Sequence, residues 1–385
     1  MRRLLVIAST MILFDVAFYS AIAPLLPDYV DELGLSKAEA GVLSAAYAAG
    51  TLLASLPAGL LASRVGPRRT VLAGLALLGI SSVVFGFGNE IALLDAARFS
   101  QGVAGALIWS GALTWLITAS PPERRGQVIG TALGTAVAGA LIGPALGALA
   151  AEIGTEIVFS AVLGISAVFA ALVWRTPESA PPERQTLSEV ASAIATRPVL
   201  TATAFVAVPS LMFGAIEVLV PLRIDDLDGG HALIAAAFIV GAAIEAGLAP
   251  ISGRYSDRVG RRTPFVSGLL IAAVGMLGIA AAEGVGVVVA GLLVGCLGAG
   301  ICFAPAMTML TETSEAGPLQ EGLAAGLSNM AWATGQVIGG LVGGAVAGVA
   351  GYAAPSAAVA VVLLLTAAYA MRCALPGARV EVAAG

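Results

Sequence analysis

One pattern of glycine and arginine occurs twice, as Gly59-Leu-Leu-Ala-Ser-Arg-Val-Gly66-Pro-Arg-Arg69 and as Gly253-Arg-Tyr-Ser-Asp-Arg-Val-Gly260-Arg-Arg262. The second copy follows at a constant offset, because subtracting 59 from 253, or 66 from 260, gives 194. Long uncharged apolar stretches flank both copies. A second series of glycines recurs 196 residues later and consists of Gly126, Gly130, Gly139, Gly143 and Gly147. The sequence therefore indicates a duplicated membrane protein.

The composition excludes several functional classes. With 58% hydrophobic residues, 11% charged residues and a mean hydropathy of +0.96, the chain is too apolar for a soluble domain. The isoelectric point of about 5.0 and the absence of a long basic run argue against nucleic-acid binding. The sequence has no glycine-rich phosphate loop, and His231 is its single histidine. We therefore expect that the protein is not an enzyme and binds no cofactor. We also expect that an ion gradient supplies its energy.

Twelve apolar runs are each about long enough to cross a bilayer as a helix of roughly 20 residues. They cover 4–26, 41–62, 70–88, 92–118, 127–150, 157–174, 199–222, 232–252, 264–282, 286–310, 322–347 and 354–371. If both termini are cytoplasmic, 16 of the 19 Lys and Arg residues lie on the cytoplasmic side, as the positive-inside rule requires. The sequence predicts an all-α, multi-pass protein of the cell inner (plasma) membrane, with Lys37 in an outer loop.

The duplication predicts two six-helix bundles, 1–175 and 198–385. Residues 176–197 contain three prolines and a short amphipathic stretch, and are predicted to form a cytoplasmic linker with a surface helix. An even number of spans separates the copies, so both bundles have the same orientation. This is the parallel-repeat arrangement of transporters, in which the substrate binds at the midplane between the halves.

The duplicated loop resembles the pattern Gly-x-Leu-Ala-Asp-Arg-x-Gly-Arg-Arg of the major facilitator superfamily, and the chain most resembles its drug:proton antiporter branch, which includes vesicular monoamine transporters. The second copy is complete, whereas Ser63 replaces the acid of the first. We expect Asp257 to pair with Arg258, and Ser63 to offer Arg64 only a neutral hydrogen bond. The resemblance assigns gating roles to Gly59, Arg64, Gly66, Gly253, Asp257, Arg258, Gly260 and Arg261.

Two further motifs carry the resemblance. Arg98-Phe-Ser-Gln101-Gly102-Val-Ala-Gly105 in the fourth span is close to the family pattern Arg-x-x-Gln-Gly-x-Gly. Helical spacing places Trp109 on the face of Arg98 and Gln101, although Arg98 could instead extend to the surface beside Asp95. The stretch Gly139-Ala-Leu-Ile-Gly143-Pro144-Ala-Leu-Gly147 resembles the family's antiporter signature, which marks exporters, and its small residues permit close helix packing.

Three carboxylic acids lie within predicted spans. Asp15 is near the middle of the first span, and Tyr19 lies on the same helix face. Glu245 is near the midplane of the eighth span, and Glu217 lies towards the outer end of the seventh. Ionisable residues at membrane depth are functional candidates, so Asp15, Arg98, Glu217 and Glu245 are predicted to couple protons to substrate. Structural roles for the acids, or an interfacial position for Glu217, are the alternatives. Glu312 and Glu315 are expected in a solvated loop.

The predicted substrate site consists of Tyr19, Gln101, Trp109, Asn329, Trp332 and Gln336. The tryptophans could equally serve as packing residues or interfacial anchors. If they line the cavity, their rings suit aromatic or cationic compounds, and three acids against one arginine favour cations.

The sequence is therefore interpreted as that of a monomeric, proton-coupled antiporter that exports amphiphilic, cationic small molecules by alternating access. Its partners are the substrate, protons and membrane lipid. Alternatives are an exporter of neutral metabolites, such as sugars or amino acids, and a membrane sensor that does not transport.

Overall fold

The computed structural model describes residues 2–121, 125–178, 187–315 and 321–372. Residues 179–186 of the predicted linker and 373–385 of the predicted second bundle lie outside the described residues. The described chain is helical and contains no strand. Its helices are α1 Arg2–Ser20, α2 Ile22–Leu33, α3 Lys37–Val65, α4 Pro67–Gly86, α5 Ile91–Thr118, α6 Arg125–Ile153, α7 Thr155–Trp174, α8 Leu187–Ile194, α9 Arg197–Asp225, α10 His231–Val259, α11 Arg262–Ala280, α12 Val285–Glu315, α13 Glu321–Ala350 and α14 Ala353–Arg372.

Twelve helical segments in the described chain are long and apolar enough to cross a membrane, which confirms the predicted number. Helices α1 and α2 together form the first segment, and α8 is the short helix predicted in the linker. The first segment is interrupted at Ala21 because Pro24 has no N–H to donate to the carbonyl of Ser20. It continues past the predicted end at residue 26, to Leu33.

The two halves repeat the same helix packing. Helix α6 packs on α1 through Gly139, and a Cβ atom there would overlap the carbonyl oxygen of Leu13. Helix α13 packs on α9 through Gly335, where a Cβ atom would overlap the carbonyl oxygen of Ala207. Leu13 and Ala207 are 194 residues apart, which is the offset of the duplicated loops. The glycine series thus allows the same close approach of helix backbones in both halves, as the duplication predicts.

The duplicated loops also share one backbone conformation. Gly66 has φ 95° and Gly260 has φ 85°, values that a residue with a side chain rarely adopts. Each glycine permits the sharp turn between two long helices, α3 and α4 in the first half, α10 and α11 in the second. By contrast, no atom of the described residues lies within 4 Å of a Cβ position at Gly253, so no other helix approaches this glycine closely in this state.

The bundles meet at the end of the molecule that contains Lys37, called here the Lys37 end. There Lys37 pairs with Asp226, with Nζ and Oδ2 3.3 Å apart. Helices α3 and α13 cross closely, since a Cβ atom at Gly41 would lie 2.6 Å from the carbonyl oxygen of Gly340. The opposite end contains both duplicated loops and is called the Arg68 end. Along α6 and α10 towards that end, several glycines have no atom of the described residues within 4 Å of their Cβ positions: Gly130, Gly134, Gly247 and Gly253. The structure is therefore closed at the Lys37 end.

Candidate functional site

Asp15 lies near the middle of the first membrane segment and is 1% exposed. Its carboxylate accepts hydrogen bonds from the Tyr47 hydroxyl, at 3.1 and 3.0 Å from the two oxygens, and from Trp109 Nε1 at 3.2 Å. No ion pair of the described residues includes Asp15. An ionised carboxylate buried without a cation is costly, so this site favours uptake of a proton or of a cationic ligand.

Arg98 is also buried, with 1% of its surface exposed, and does not extend to the surface beside Asp95. Its guanidinium donates to Gln101 Oε1 at 3.1 Å and to the carbonyl oxygen of Tyr19 at 3.2 Å. The rings of Tyr19, Tyr47 and Phe85 have centroids 5.2 to 5.9 Å from the guanidinium carbon. Neutral dipoles and aromatic faces thus hold this charge inside the first half of the chain.

Tyr19 connects the two halves. Its hydroxyl donates to Glu217 Oε1 on α9 at 2.6 Å and accepts a hydrogen bond from Gln336 Nε2 on α13 at 2.9 Å. The ring of Trp332 meets the Tyr19 ring edge to face, with centroids 5.3 Å apart. Glu217 therefore lies at the centre of the molecule and not at the interface between membrane and water. We call Asp15, Arg98, Tyr19 and the residues that they contact the central network.

Two predicted site residues are not joined to the central network. Glu245 is the middle residue of α10, and no hydrogen bond or ion pair of the described residues includes it. Its backbone faces α12, where a Cβ atom at Gly300 would lie 3.0 Å from the Glu245 Cα. Asn329 is partly buried on α13, and no hydrogen bond among the described residues connects it to Trp332 or Gln336.

Two polar residues that bond to the central network were missed in the sequence. Tyr47 donates to Asp15, and the Ser82 hydroxyl accepts from Gln101 Nε2 at 3.1 Å. Tyr47 is the one aromatic residue in the stretch Ala45-Ala46-Tyr47-Ala48-Ala49. A phenol within a membrane segment needs a hydrogen-bond partner, and this signal could have identified it. Serine hydroxyls commonly bond to their own helix, so Ser82 carried no comparable signal.

The ion pair at the second duplicated loop differs from the prediction. Arg261 pairs with Glu312 through both terminal guanidinium nitrogens, whereas Asp257 and Arg258 are exposed. No ion pair in the described chain includes Asp257. The expected pair with Arg258 is therefore absent in this state, and Glu312 lies on α12 rather than in a solvated loop.

The first duplicated loop has a different ion pair. The positions equivalent to Arg261 and Glu312, 194 residues earlier, are Pro67 and Thr118, which cannot form one. Instead Arg68 pairs with Glu178, which follows α7, at 3.1 Å. The Ser63 hydroxyl donates to the carbonyl oxygen of its own helix residue Leu60 at 2.9 Å, so it is not committed to Arg64 as expected.

Asp257, the acid of the second loop, is still expected to pair with Arg258 when the Arg68 end closes. The substitution Asp257→Asn removes a charge-assisted bond from the state that is closed at the Arg68 end. The ratio of the state closed at the Lys37 end to that state should therefore rise by roughly tenfold. Ser63→Ala, the matched change in the first copy, should leave the ratio unchanged. Labelling of single cysteines at the two ends measures these populations. A large effect of Ser63→Ala without one of Asp257→Asn would contradict this assignment.

Comparison with known proteins places the chain in a family. A model of the Major Facilitator Superfamily matches residues 7–318. The MFS-type transporter ppzB of Metarhizium majus is 32% identical over 123 residues, which are 30% of this chain and 27% of the relative. The quinolone resistance protein NorA of Staphylococcus aureus is 25% identical over 154 residues, which are 40% of each protein. The chain thus spans two fifths or less of these relatives.

A solved structure, that of the human organic anion transporter MFSD10 (TETRAN), shares the fold at 17% sequence identity. The superposition has a TM-score of 0.73 and covers 96% of this chain and 99% of the other. The family model, the shared fold and the repeated helix packing lead to one conclusion. The chain belongs to the major facilitator superfamily.

Proposed function

We propose that this transporter is a proton-coupled antiporter that exports amphiphilic organic cations by alternating access. The observation that carries the proposal is Asp15, a buried carboxyl group whose hydrogen-bond donors among the described residues are all neutral. Such a group is neutralised equally well by a proton or by a cationic substrate. If the two compete for Asp15, binding of one releases the other, and this exchange defines an antiporter.

The second acid supports coupling between proton binding and gating. Glu217 accepts its hydrogen bond from Tyr19 across the two halves. A bond to an ionised carboxylate is about twice as strong as one between neutral groups. Protonation of Glu217 therefore weakens the contact that holds the Lys37 end closed. In the proposal, this end faces outwards, both termini are cytoplasmic, and the bundles 1–175 and 198–385 rock about the linker 176–197 in a monomer of the plasma membrane.

The preference for cations rests on the internal charges. Asp15, Glu217 and Glu245 lie within membrane segments, whereas Arg98 is enclosed by aromatic rings and hydrogen bonds. The ring faces near Asp15 and Tyr19 can also contact a delocalised cation. The relative NorA is named for quinolone resistance, which supports a drug-like substrate, whereas the human structural neighbour is named for organic anions. The sign of the substrate charge is therefore the point to test.

Flux into proteoliposomes tests the proposal. Purified protein is reconstituted, a pH gradient is imposed, and the uptake of tetraphenylphosphonium is compared with that of a neutral and of an anionic aromatic compound. We expect uphill movement of the cation, opposite to the proton flux, that a protonophore abolishes. Uphill movement of the anion, or of a neutral sugar or amino acid, would assign another substrate class. Absence of flux for every compound would favour a sensor.

Glu245 offers a test of charge selectivity, because no hydrogen bond of the described residues occupies its carboxylate. Glu245→Gln should reduce the apparent affinity for a monovalent organic cation by roughly tenfold, while affinity for an uncharged compound of similar shape changes little. Competition binding to detergent-purified protein measures both affinities. Equal losses for the two compounds would indicate that Glu245 has a structural role.

A further inference from the structure

The single histidine of the chain joins the two halves at the Lys37 end. His231 is the first residue of α10, and its Nε2 lies 2.7 Å from Asp28 Oδ1 on α2. The side chains are 39% and 34% exposed, so water and protons reach both. The pair is separate from the central network, since neither residue contacts Asp15, Tyr19 or Glu217 through a hydrogen bond of the described residues.

The surroundings of the pair are acidic. Asp225, at the end of α9, interacts electrostatically with His231, Asp28 and Asp31. Asp226 is also close to Asp225, but it is bonded to Lys37 of α3 and to the Tyr352 hydroxyl. The charged groups near His231 are thus Asp28 of α2 and Asp225 of α9, and Asp31 of α2 lies near Asp225.

The two contacts across this end respond differently to acidity. A lysine and aspartate pair ordinarily remains charged between pH 5 and 8, whereas imidazole gains its proton in that range. Closure places a charged imidazole against Asp28, and opening separates them. The closed state therefore gains stability at low pH, and this gain is lost as the pH rises through the range in which imidazole titrates.

We propose that His231 and Asp28 form a proton-sensitive latch, by which acid on the outer side favours closure of the Lys37 end. The latch regulates the proposed transport cycle and rests on the predicted orientation of this end towards the outside. It does not depend on which substrate is carried. Protons on the outside would then act twice, at the coupling acids inside the protein and at the latch on its surface.

Distance measurements on the substrate-free protein test the latch. Spin labels are attached at Asn89→Cys and Gly284→Cys, exposed positions in opposite halves at the Lys37 end, after replacement of the three native cysteines. Pulsed electron paramagnetic resonance in nanodiscs gives the populations of short and long distances at pH values from 5 to 8. We expect the ratio of closed to open state to rise about two- to fivefold as the pH falls, the range for an exposed ion pair.

Variants distinguish the latch from the coupling acids. His231→Gln retains a hydrogen-bond donor but should abolish the pH response, and His231→Lys should keep the end closed throughout. Glu217→Gln, which resembles the protonated acid, should lower the closed fraction at every pH, but the end should still close further as the pH falls because the latch is intact. The proposal is overturned if His231→Gln responds to pH as the unmodified protein does, or if Glu217→Gln alone removes the response. Because no transport is measured, failure of the latch and failure of the proposed antiport are separate results.

Discussion

The substitution Asp15→Asn is expected to abolish uphill transport completely while the protein still folds. Asparagine has nearly the same shape and keeps one oxygen acceptor for Tyr47 and Trp109, so the packing around it is preserved. It cannot exchange a proton, and the exchange of charge at this position couples the two fluxes in the proposed mechanism. In proteoliposomes with a pH gradient, substrate should reach equal concentrations on both sides and go no further.

A matched control separates coupling from general damage. Asp95 is another carboxylate in the same half, on α5, with no hydrogen bond to the central network among the described residues. Asp95→Asn should transport uphill as the unmodified protein does. Exchange of labelled for unlabelled substrate without a gradient should persist in Asp15→Asn, since it requires only binding and reorientation. Undiminished accumulation by Asp15→Asn would refute the assignment of Asp15 as the coupling acid.

The substitution Tyr19→Phe is expected to open the Lys37 end. It removes two hydrogen bonds between the halves, one to the Glu217 carboxylate and one from Gln336. Bonds to charged groups contribute about 1.5 to 3 kcal/mol, and neutral ones about 1 kcal/mol, so the ratio of closed to open state should fall roughly a hundredfold. The aromatic ring remains, so the edge contact with Trp332 is retained. Distance measurements across the Lys37 end report the change.

Tyr47→Phe provides the control for this change. The Tyr47 hydroxyl also bonds to a buried carboxylate, but Asp15 and Tyr47 belong to the same half. Its loss should affect substrate or proton binding without shifting the closed and open populations more than a few-fold. Similar shifts for Tyr19→Phe and Tyr47→Phe would show that Tyr19 does not act as a tie between the halves.

Much of the fold was predictable because the bilayer limits what a chain can do. A spanning segment must satisfy its backbone hydrogen bonds internally, so apolar runs of sufficient length predict helices. The twelve segments were identified on this basis, and several extend further than the apolar run, as at Leu33, where amphipathic residues continue the helix. Gly139 and Gly335, at equivalent positions of the two halves, also indicated close helix contacts, because small residues allow helix backbones to approach each other.

The partners of the charged residues were not predictable, because they come from distant parts of the chain. Asp15 bonds to residues 32 and 94 positions away, and Tyr19 to residues 198 and 317 positions away. Local spacing orders residues on one helix face and contains no information on which face of another helix meets it. For the same reason the ion pair of Arg261 with Glu312 replaced the expected pair of neighbours.

The sequence by itself determined the number of membrane segments and the duplication, and it placed Asp15 and Glu245 within membrane segments. These follow from the free-energy cost of exposing backbone or charge to lipid, which is a local property of each segment. Only the tertiary structure decided that Asp15 accepts its hydrogen bonds from its own half and that Glu217 accepts one from Tyr19 across the halves. The tertiary structure also decided that Glu245 has no hydrogen bond to the central network among the described residues. Those outcomes depend on the packing of helices from both copies, where a rotation of one helix by a single residue would exchange every partner.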